Sequence, residues 1–281
     1  LLRERGAGAR YKTTPVQIAR GVNGLQGNTM NSSQDNNTNA PQGKLEAVAG
    51  LLERAGALRP SAVLVAGCDR AENLQLVESA MDHGIIKRAL LVGNPANIAR
   101  AAEKANYTVP PEDVVSAETP DDVGRETAAR VQVREVDVVL KGNIPTPILN
   151  RHMLPLAVRT TVSLATLFDA APIAGGRPMI LTDAGVTTVC NYGRMAALIQ
   201  NAVDLAHSVM GLAKPRVALL SANEKQIASL PSTQLARQLS AREWSDAIVY
   251  GPLSFDLATD ANSVAIKGIP DGPAAQEVAG N

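Results

Sequence analysis

The chain has 281 residues, with 27 basic and 27 acidic side chains and a hydrophobic content of 45%. That apolar content can form a buried core, which excludes a wholly disordered protein. Zero net charge argues against nucleic-acid partners, and no run approaches the ~20 apolar residues of a membrane span. The two cysteines exclude a disulfide scaffold and suit a reducing compartment, so we expect a soluble, cytoplasmic protein without membrane partners.

The first 43 residues differ in character from the rest. Residues 28–42 read NTMNSSQDNNTNAPQ, a polar run without periodicity. Such a run cannot bury enough apolar surface to offset the entropy lost on ordering, so residues 1–43 are predicted to be a disordered leader or linker. The chain begins with Leu1, and Met30 lies within the run. Either the chain is a fragment of a longer parent, or its natural start is Met30.

From residue 44 onward, helical and strand patterns alternate. Helices are predicted at 44–56, 71–83, 94–106 and 121–132. Short apolar runs predict strands at 62–66, 89–92, 113–116 and 136–140. This alternation is typical of parallel strands covered by helices on both faces, and it predicts a first lobe over residues 44–155.

The second half continues in the same style. Strands are predicted at 162–168, 179–182, 217–220 and 247–250, and helices at 192–212 and 231–239. They predict a second α/β lobe over residues 156–281. The fold class is therefore α/β, with two α/β/α lobes, mostly parallel sheets and a ligand cleft between the lobes at the carboxyl ends of the strands.

One predicted strand end carries groups suited to phosphate. In VLKGNIPT (139–146), the strand delivers Lys141, then Gly142, which would let backbone amides approach a ligand, and then Thr146 near a helix start. A cation, free amides and a hydroxyl are what a phosphate requires. The structural alternative is a solvated lysine beside a turn glycine.

Two further strand ends offer polar groups. Asp183 follows a strand and could orient a substrate hydroxyl or amide, or could cap the next helix. After the strand at 217–220, an anion could be held by Ser221, Asn223 and Lys225. The nearby Ser232 and Thr233 could instead only cap the helix that follows them.

The last predicted strand is followed by Gly251-Pro252, which predicts a tight turn. Asp256 then falls in a first helical turn, where the helix dipole favours a carboxylate in any case. Neither the three histidines nor Cys68 and Cys190 have metal-ligand spacing, so no metal site is predicted. The common glycine-rich nucleotide-binding motifs are absent as well.

Six segments occur in an order and spacing that point to one family. They are VLKGNIPT (139–146), MILTDAGV (179–186), IQNAVDLAH (199–207), PRVALLSANEK (215–225), LPST (230–233) and VYGPLSFDLATD (249–260). Together they resemble the phosphate acetyl/butyryltransferase family, from about residue 44 to 281. GPLSFD and LSANEK look closer to the butyryltransferase branch and to domains fused behind an enoyl-CoA hydratase-like domain.

The resemblance implies a reaction in which acyl-CoA and phosphate give acyl phosphate and coenzyme A, reversibly, with acetyl or butyryl as the acyl group. It implies coenzyme A as a substrate, no tightly bound cofactor, and a homodimer or larger assembly. Direct transfer in a ternary complex is expected, with a carboxylate deprotonating the thiol. The site residues that the resemblance implies are Lys141, Gly142, Thr146, Arg159 and Ser163 for the phosphoryl end, Ser221, Asn223 and Lys225 on the opposite lobe, and Asp183 and Asp256 bordering the cleft.

The resemblance also implies a departure. The family continues beyond Asn281 with a segment that supplies the general base, so we expect the second lobe to be incomplete and the catalytic base to be missing from this chain. Two alternatives therefore stay open. One is a non-catalytic relative that binds coenzyme A and phosphate; the other is a different enzyme on the same two-lobed fold, such as a dehydrogenase of a phosphorylated substrate.

Overall fold

The computed structural model of the chain describes residues 16–17, 43–269 and 272–280. They form two compact units, the first with residues 16–17 and 56–158 and the second with residues 43–55 and 159–280. The disordered leader predicted over 1–43 lies outside the described residues, except for residue 43 and Val16–Gln17. The prediction is wrong for Val16–Gln17, because these two residues form a strand that pairs with residues 139–140 of the first unit. In the described part of the chain, no helix has the length and apolar character needed to cross a membrane.

The first helix begins later than its spacing predicts. A helix was expected over 44–56, whereas α1 spans Gly50–Gly56. Leu45 is buried against Met210, and its amide donates to the Met210 carbonyl oxygen (2.8 Å). Because these contacts tie the segment to the second unit, residues 43–55 cluster there, although the predicted first lobe started at 44.

The first unit contains a five-stranded sheet, which is mostly parallel as predicted. The strand order is β1-β5-β2-β3-β4, and only β1 runs antiparallel, beside β5. The strands are β1 (Val16–Gln17), β2 (Ser61–Ala66), β3 (Ile86–Gly93), β4 (Val114–Ser116) and β5 (Val138–Lys141).

Helices cover both faces of this sheet, as the apolar runs predict. They are α2 (Ala71–Asp82), α3 (Pro95–Ala105), α4 (Pro120–Gln132) and α5 (Thr146–Met153). Side chains alternate along a strand, so Val63 and Val65 of β2 pack under α2 and α3 while Leu64 and Ala66 face α4 and α5. The first unit is therefore an α/β/α layer structure with a core on each side of the sheet.

The second unit has two separate pairs of strands. β6 (Ala165–Phe168) and β7 (Met179–Thr182) run antiparallel, whereas β8 (Arg216–Leu220) and β9 (Ile248–Leu253) run parallel. Parallel strands were expected in the second half as in the first, but β6 and β7 are antiparallel. Residues 169–178 that join them are fewer than the roughly dozen that a parallel crossover requires.

Helices pack on both faces of the β8–β9 pair. They are α6 (Tyr192–Leu205), which continues as a π-helical turn over Ala206–Met210, then α7 (Pro231–Ser240), α8 (Phe255–Thr259), α9 (Ala261–Lys267) and α10 (Pro273–Val278). Val203 and Leu239 are buried on the side of α6 and α7, while Leu257 and Val278 are buried on the opposite side. This layering fixes the carboxyl end of β8, where the polar residues predicted from the sequence follow.

The prediction of a tight turn at Gly251-Pro252 is wrong. Both residues lie inside β9, which continues to Leu253. A Cβ atom at Gly251 would lie 2.5 Å from the carbonyl oxygen of Leu219 in β8. The glycine thus serves the close approach of two strands rather than a reversal of the chain.

Candidate functional site

The loop after β5 packs against the loop after β2. Ala66 and Lys141 are opposite each other at the ends of these two parallel strands. Beyond them, the amide of Gly142 donates to the carbonyl of Ala66 (2.9 Å), and the amide of Asn143 donates to the carbonyl of Gly67 (2.8 Å). The two loops are therefore held together by main-chain hydrogen bonds.

This pairing corrects the role expected for Gly142. The sequence suggested that the glycine would expose backbone amides to a ligand, but the Gly142 and Asn143 amides are already bonded within the protein. A Cβ atom on Gly142 would overlap the carbonyl oxygen of Gly67 and lie 2.7 Å from Asn73 Nδ2. Gly142 is thus required for the contact between the loops.

Lys141 lies at the end of a strand and Thr146 at the start of a helix, as the sequence predicts. Lys141 is half-buried at the end of β5, and its ammonium lies 3.4 Å from the carbonyl oxygen of Gly142. Among the residues that the structure describes, it forms no ion pair. Thr146 is the exposed first residue of α5, so a cation and a helix start flank one short loop.

Three side chains that the sequence reasoning did not single out hold this loop. Asn143 donates through Nδ2 to Asp69 Oδ2 (2.7 Å), and Arg70 donates to Asn143 Oδ1 (3.2 Å). Asp69 and Arg70 follow β2 directly, at the sheet edge where β5 also ends. The sequence did contain a signal for this contact, because side chains that follow the ends of neighbouring parallel strands come together at one edge of the sheet.

In the second unit, the structure brings Arg159 and Ser163 together through Asn201 of α6. Arg159 donates to Asn201 Oδ1 (2.9 Å), and Asn201 Nδ2 donates to Ser163 Oγ (3.1 Å) and to the Thr161 carbonyl (2.9 Å). Arg159 also forms an ion pair with Asp204 Oδ2 at 2.5 Å. The segment before β6 is therefore oriented by two side chains one turn apart on α6.

Asp183 organises the chain around the end of β7. Its Oδ1 accepts the amides of Leu164 (3.1 Å) and Val186 (3.3 Å), and its Oδ2 accepts the amide of Thr187 (2.8 Å). Partial burial raises the pKa of Asp183, but hydrogen bonds from Thr187 and from these amides outweigh it, so the pKa lies below its usual value. The capping prediction is wrong, because Asn191 caps α6 through the amide of Arg194.

The groups after β8 form local hydrogen bonds. Ser221 and Ser232 bring their hydroxyl oxygens within 2.8 Å of each other, and Asn223 Oδ1 accepts the amide of Lys225 (2.8 Å). The Asn223 bond spans two residues and forms a compact turn, in which the side-chain oxygen is the bonded atom. The ammonium of Lys225 is in no ion pair within the described chain.

Neither hydroxyl at the start of α7 caps that helix. The residue before the helix is Leu230, and its side chain makes no capping hydrogen bond. Thr233 is buried, accepts the amide of Ile227 (3.0 Å) and donates to the carbonyl of Leu230 (2.7 Å). Ser232 instead contacts Ser221, which links the start of α7 to the end of β8.

Asp256 lies in the first turn of α8, as predicted, and it is also paired. Lys267 at the end of α9 donates to Asp256 Oδ2 at 2.6 Å. This hydrogen bond from Lys267 is the main cause that lowers the pKa of Asp256 to about 2. The sequence singled out Asp256 alone; the short helix pair α8–α9 brings Lys267 to it, so that the two charges neutralise each other.

No group of histidine, cysteine and carboxylate side chains that could hold a metal ion occurs within residues 43–269 and 272–280. Cys68 is buried, and burial raises the pKa of its thiol to about 12, so it is protonated at neutral pH. Cys190 is exposed and unpaired in the described chain. Besides the carboxylates of Asp183 and Asp256, the groups found at the predicted site positions are cations, hydroxyls and amides, which suit an anionic substrate.

A comparison with protein families identifies the chain. The family described as "Phosphate acetyl/butaryl transferase" matches residues 126–278, more than half of the chain and including the Lys141 loop, Asp183, the residues after β8 and Asp256. The chain belongs to the phosphate acetyl/butyryltransferase family. The family resemblance seen in the sequence is thereby confirmed.

Curated members of this family are similar over most of the chain. A phosphate acetyltransferase from Rickettsia felis is 28% identical over 225 residues, which cover 78% of this chain and 64% of that protein. A probable phosphate butyryltransferase from Bacillus subtilis is 28% identical over 240 residues, covering 82% of this chain and 76% of the relative. The matched part of the chain thus spans less than two thirds of the Rickettsia protein and about three quarters of the Bacillus protein.

Solved structures of phosphotransacylases share the fold, which confirms the predicted α/β class. A branched-chain phosphotransacylase from Enterococcus faecalis superposes with a TM-score of 0.60 at 27% identity, covering 75% of each chain. A phosphotransacetylase from Streptococcus pyogenes gives a TM-score of 0.61 at 12% identity, covering 84% of this chain and 80% of that structure. At the lower identity the likeness concerns the fold alone.

Proposed function

We propose that this family member transfers an acyl group between coenzyme A and phosphate, with acetyl or butyryl as the acyl group. The observation that carries the proposal is the family match over residues 126–278, whose relatives are named phosphate acetyltransferase and phosphate butyryltransferase. In the reaction, a phosphate oxygen attacks the thioester carbonyl and the C–S bond breaks. Coenzyme A leaves as the thiol after taking up a proton, and acyl phosphate is the second product.

Lys141 and Thr146 are our candidates for holding the phosphate. Their support is the cation without an ion pair in the described chain, next to an exposed hydroxyl at the start of α5. Phosphate is a mixture of monoanion and dianion at neutral pH, so a half-buried ammonium and a helix start both favour its binding. Gly142 contributes in this proposal only by shaping the loop, because its amide is bonded to Ala66.

In the second unit, we assign Arg159 and Ser163 to the phosphoryl end of the reaction and Ser221, Asn223 and Lys225 to coenzyme A. Support for the first pair is its fixed orientation on Asn201. Support for the second set is a hydroxyl, an amide and an unpaired ammonium after one strand. Asp183 and Asp256 keep a bordering role, since both carboxylates already accept hydrogen bonds inside the protein.

We further propose a cytoplasmic homodimer or larger assembly without a tightly bound cofactor. The free thiols of Cys68 and Cys190 support a reducing compartment, since neither is in a disulfide in the described chain. The assembly is proposed from the family alone. Sedimentation of the purified protein over a range of concentrations tests it, and a single monomeric species would contradict it.

The proposed activity can be tested by supplying acetyl-CoA or butyryl-CoA with inorganic phosphate and following thiol release. We expect release that requires phosphate, with butyryl-CoA and acetyl-CoA compared at equal concentration. The control reaction without phosphate measures plain hydrolysis. Release that is the same with and without phosphate for both thioesters would contradict the transferase.

A second measurement separates the alternatives raised by the sequence. Binding of coenzyme A without turnover would identify a non-catalytic relative, whereas binding of a nicotinamide dinucleotide would favour a dehydrogenase. The relatives described above are named as transferases and favour neither alternative.

A further inference from the structure

A cavity in the first unit lies outside the groups assigned so far. It has a volume of about 570 Å³ and is lined by residues 69–72, where α2 begins, and by one face of α3. The α3 residues are Ala101 and the polar Asn97, Arg100 and Lys104. Their spacing of three and four residues places them on the same side of the helix. The cavity thus lies between a helix start and a polar helix face.

The walls of this cavity carry more positive than negative charge. Arg70, Arg100 and Lys104 supply three cations, against the carboxylates of Asp69 and Glu72. None of the three cations is in an ion pair in the part of the chain that the structure describes. Asn143 donates a hydrogen bond to Asp69 Oδ2, but its amide is neutral, so both carboxylates keep their charge and the three cations still outnumber them. A site of unneutralised cations attracts anions.

The start of α2 adds to this positive field. The helix runs over Ala71–Asp82, and no side chain caps its first turn at Arg70. The first amides of a helix carry a partial positive charge. In α2 the Asn73 amide donates to the Arg70 carbonyl oxygen (3.2 Å), and Glu72 is the one carboxylate in this first turn. Anions bind at such helix starts, most strongly where cationic side chains also point to them.

We propose that this cavity binds the phosphate groups of a nucleotide. Its volume falls within the roughly 300–1,000 Å³ of small-molecule sites, which a single phosphate would not fill. Arg100 and Lys104 are one helical turn apart, or about 6 Å along α3. That spread, together with Arg70 at the start of α2, matches a ligand with more than one phosphate group.

The nucleotide could have two sources. Coenzyme A carries a 3′-phosphate and a diphosphate, so its nucleotide end has the required chemistry; a free nucleotide that regulates the protein has it too. Arg70 lines the cavity and also donates to Asn143, in the loop after Lys141. A ligand in the cavity would therefore contact Arg70, which also holds the loop after Lys141. This applies to either source of the nucleotide.

Calorimetric titration of the full chain with three probes tests the site without any turnover. The probes are adenosine 3′,5′-bisphosphate, ADP and inorganic phosphate. We expect saturable binding of a nucleotide that weakens as salt rises, because exposed charges are screened. The double variant R100Q/K104Q should weaken that binding about tenfold or more, the scale of a lost charge-assisted contact.

The matched control is Lys87→Gln, which removes an exposed cation near the amino end of β3 and should leave the affinity unchanged. Tighter binding of adenosine 3′,5′-bisphosphate than of ADP identifies the coenzyme as the source, and the reverse order identifies a free nucleotide. The proposal is overturned if neither nucleotide binds, if R100Q/K104Q binds like the unaltered chain, or if inorganic phosphate binds as tightly as the nucleotides. Each measurement is independent of acyl transfer. The proposed transferase activity could therefore be disproved while the proposed nucleotide site is confirmed.

Discussion

The carbonyl oxygen of Gly67 occupies the space that a Cβ atom on Gly142 would need. Gly142→Ala must therefore push apart the loops after β2 and β5, which are joined by main-chain hydrogen bonds. We expect the substitution to lower the free energy of unfolding by about 1–3 kcal/mol, as overpacking does. Urea unfolding monitored by circular dichroism measures this change.

Gly93→Ala is the control for that substitution. Its added Cβ atom would meet its nearest neighbour at 3.6 Å, an ordinary van der Waals contact. The control should change stability much less than Gly142→Ala. Equal stability of the two variants would show that the loops can separate without cost.

Lys141→Ala should weaken the apparent affinity for phosphate. The ammonium has no competing ion pair in the described chain, so its removal deletes a charge-assisted hydrogen bond of about 1–3 kcal/mol. The KM for phosphate in the thiol-release assay measures the loss, with Lys87→Gln as a control for surface charge. An unchanged KM would remove Lys141 from the phosphate site.

The pair of Asp256 and Lys267 predicts a dependence on pH. Lys267 lowers the pKa of Asp256 to about 2 in the folded protein, below the ordinary 3.8. The stabilisation is therefore fully present above pH 3.8 and is lost as the pH falls through about 2. Lys267→Gln should raise the pKa of Asp256 measured by NMR titration, and its stability deficit should vanish in strong acid.

Lys225→Gln is the matched control, because this lysine of the same unit pairs with no carboxylate in the described chain. It should leave the titration of Asp256 unchanged. An Asp256 that titrates near 3.8 in the unaltered protein would show that the ion pair does not persist in solution.

Asn201 should be a positioning residue for Arg159 and Ser163. Asn201→Ala deletes one acceptor and two donor contacts to the segment before β6. We expect a loss of about 1–2 kcal/mol in unfolding free energy, since these groups are partly exposed. If Arg159 and Ser163 hold the phosphoryl end, kcat should also fall.

Asn262→Ala serves as the comparison, because hydrogen bonding at Asn262 runs through its backbone amide, which alanine keeps. A fall in stability without any change in kcat or KM would leave Asn201 with a structural role only. Equal behaviour of the two variants would contradict the positioning role itself.

Most strands and helices of the first unit could be predicted in type and order, but not all in their bounds: β3 begins three residues before its predicted start, and β1 was not predicted. The apolar run at 62–66 and the helix pattern at 71–83 appear as β2 and α2 within one residue at each end. Strands buried on both faces leave a continuous apolar signal, and amphipathic helices leave a 3.6-residue one. The antiparallel pair β6–β7 was missed because strand direction depends on the connection, which hydrophobic pattern does not encode.

The sequence by itself determined the family, the layered α/β character and the chemistry gathered at strand ends, because these depend on local composition and order. Only the tertiary structure decided which of those groups stay free to meet a substrate. Gly142 and Asn143 bond to a loop more than seventy residues earlier in the chain, and Asp69 lies 74 residues from its partner Asn143. These hydrogen bonds form because β2 and β5 are parallel neighbours that end at a common edge, and spacing along the chain does not reveal which strands are neighbours.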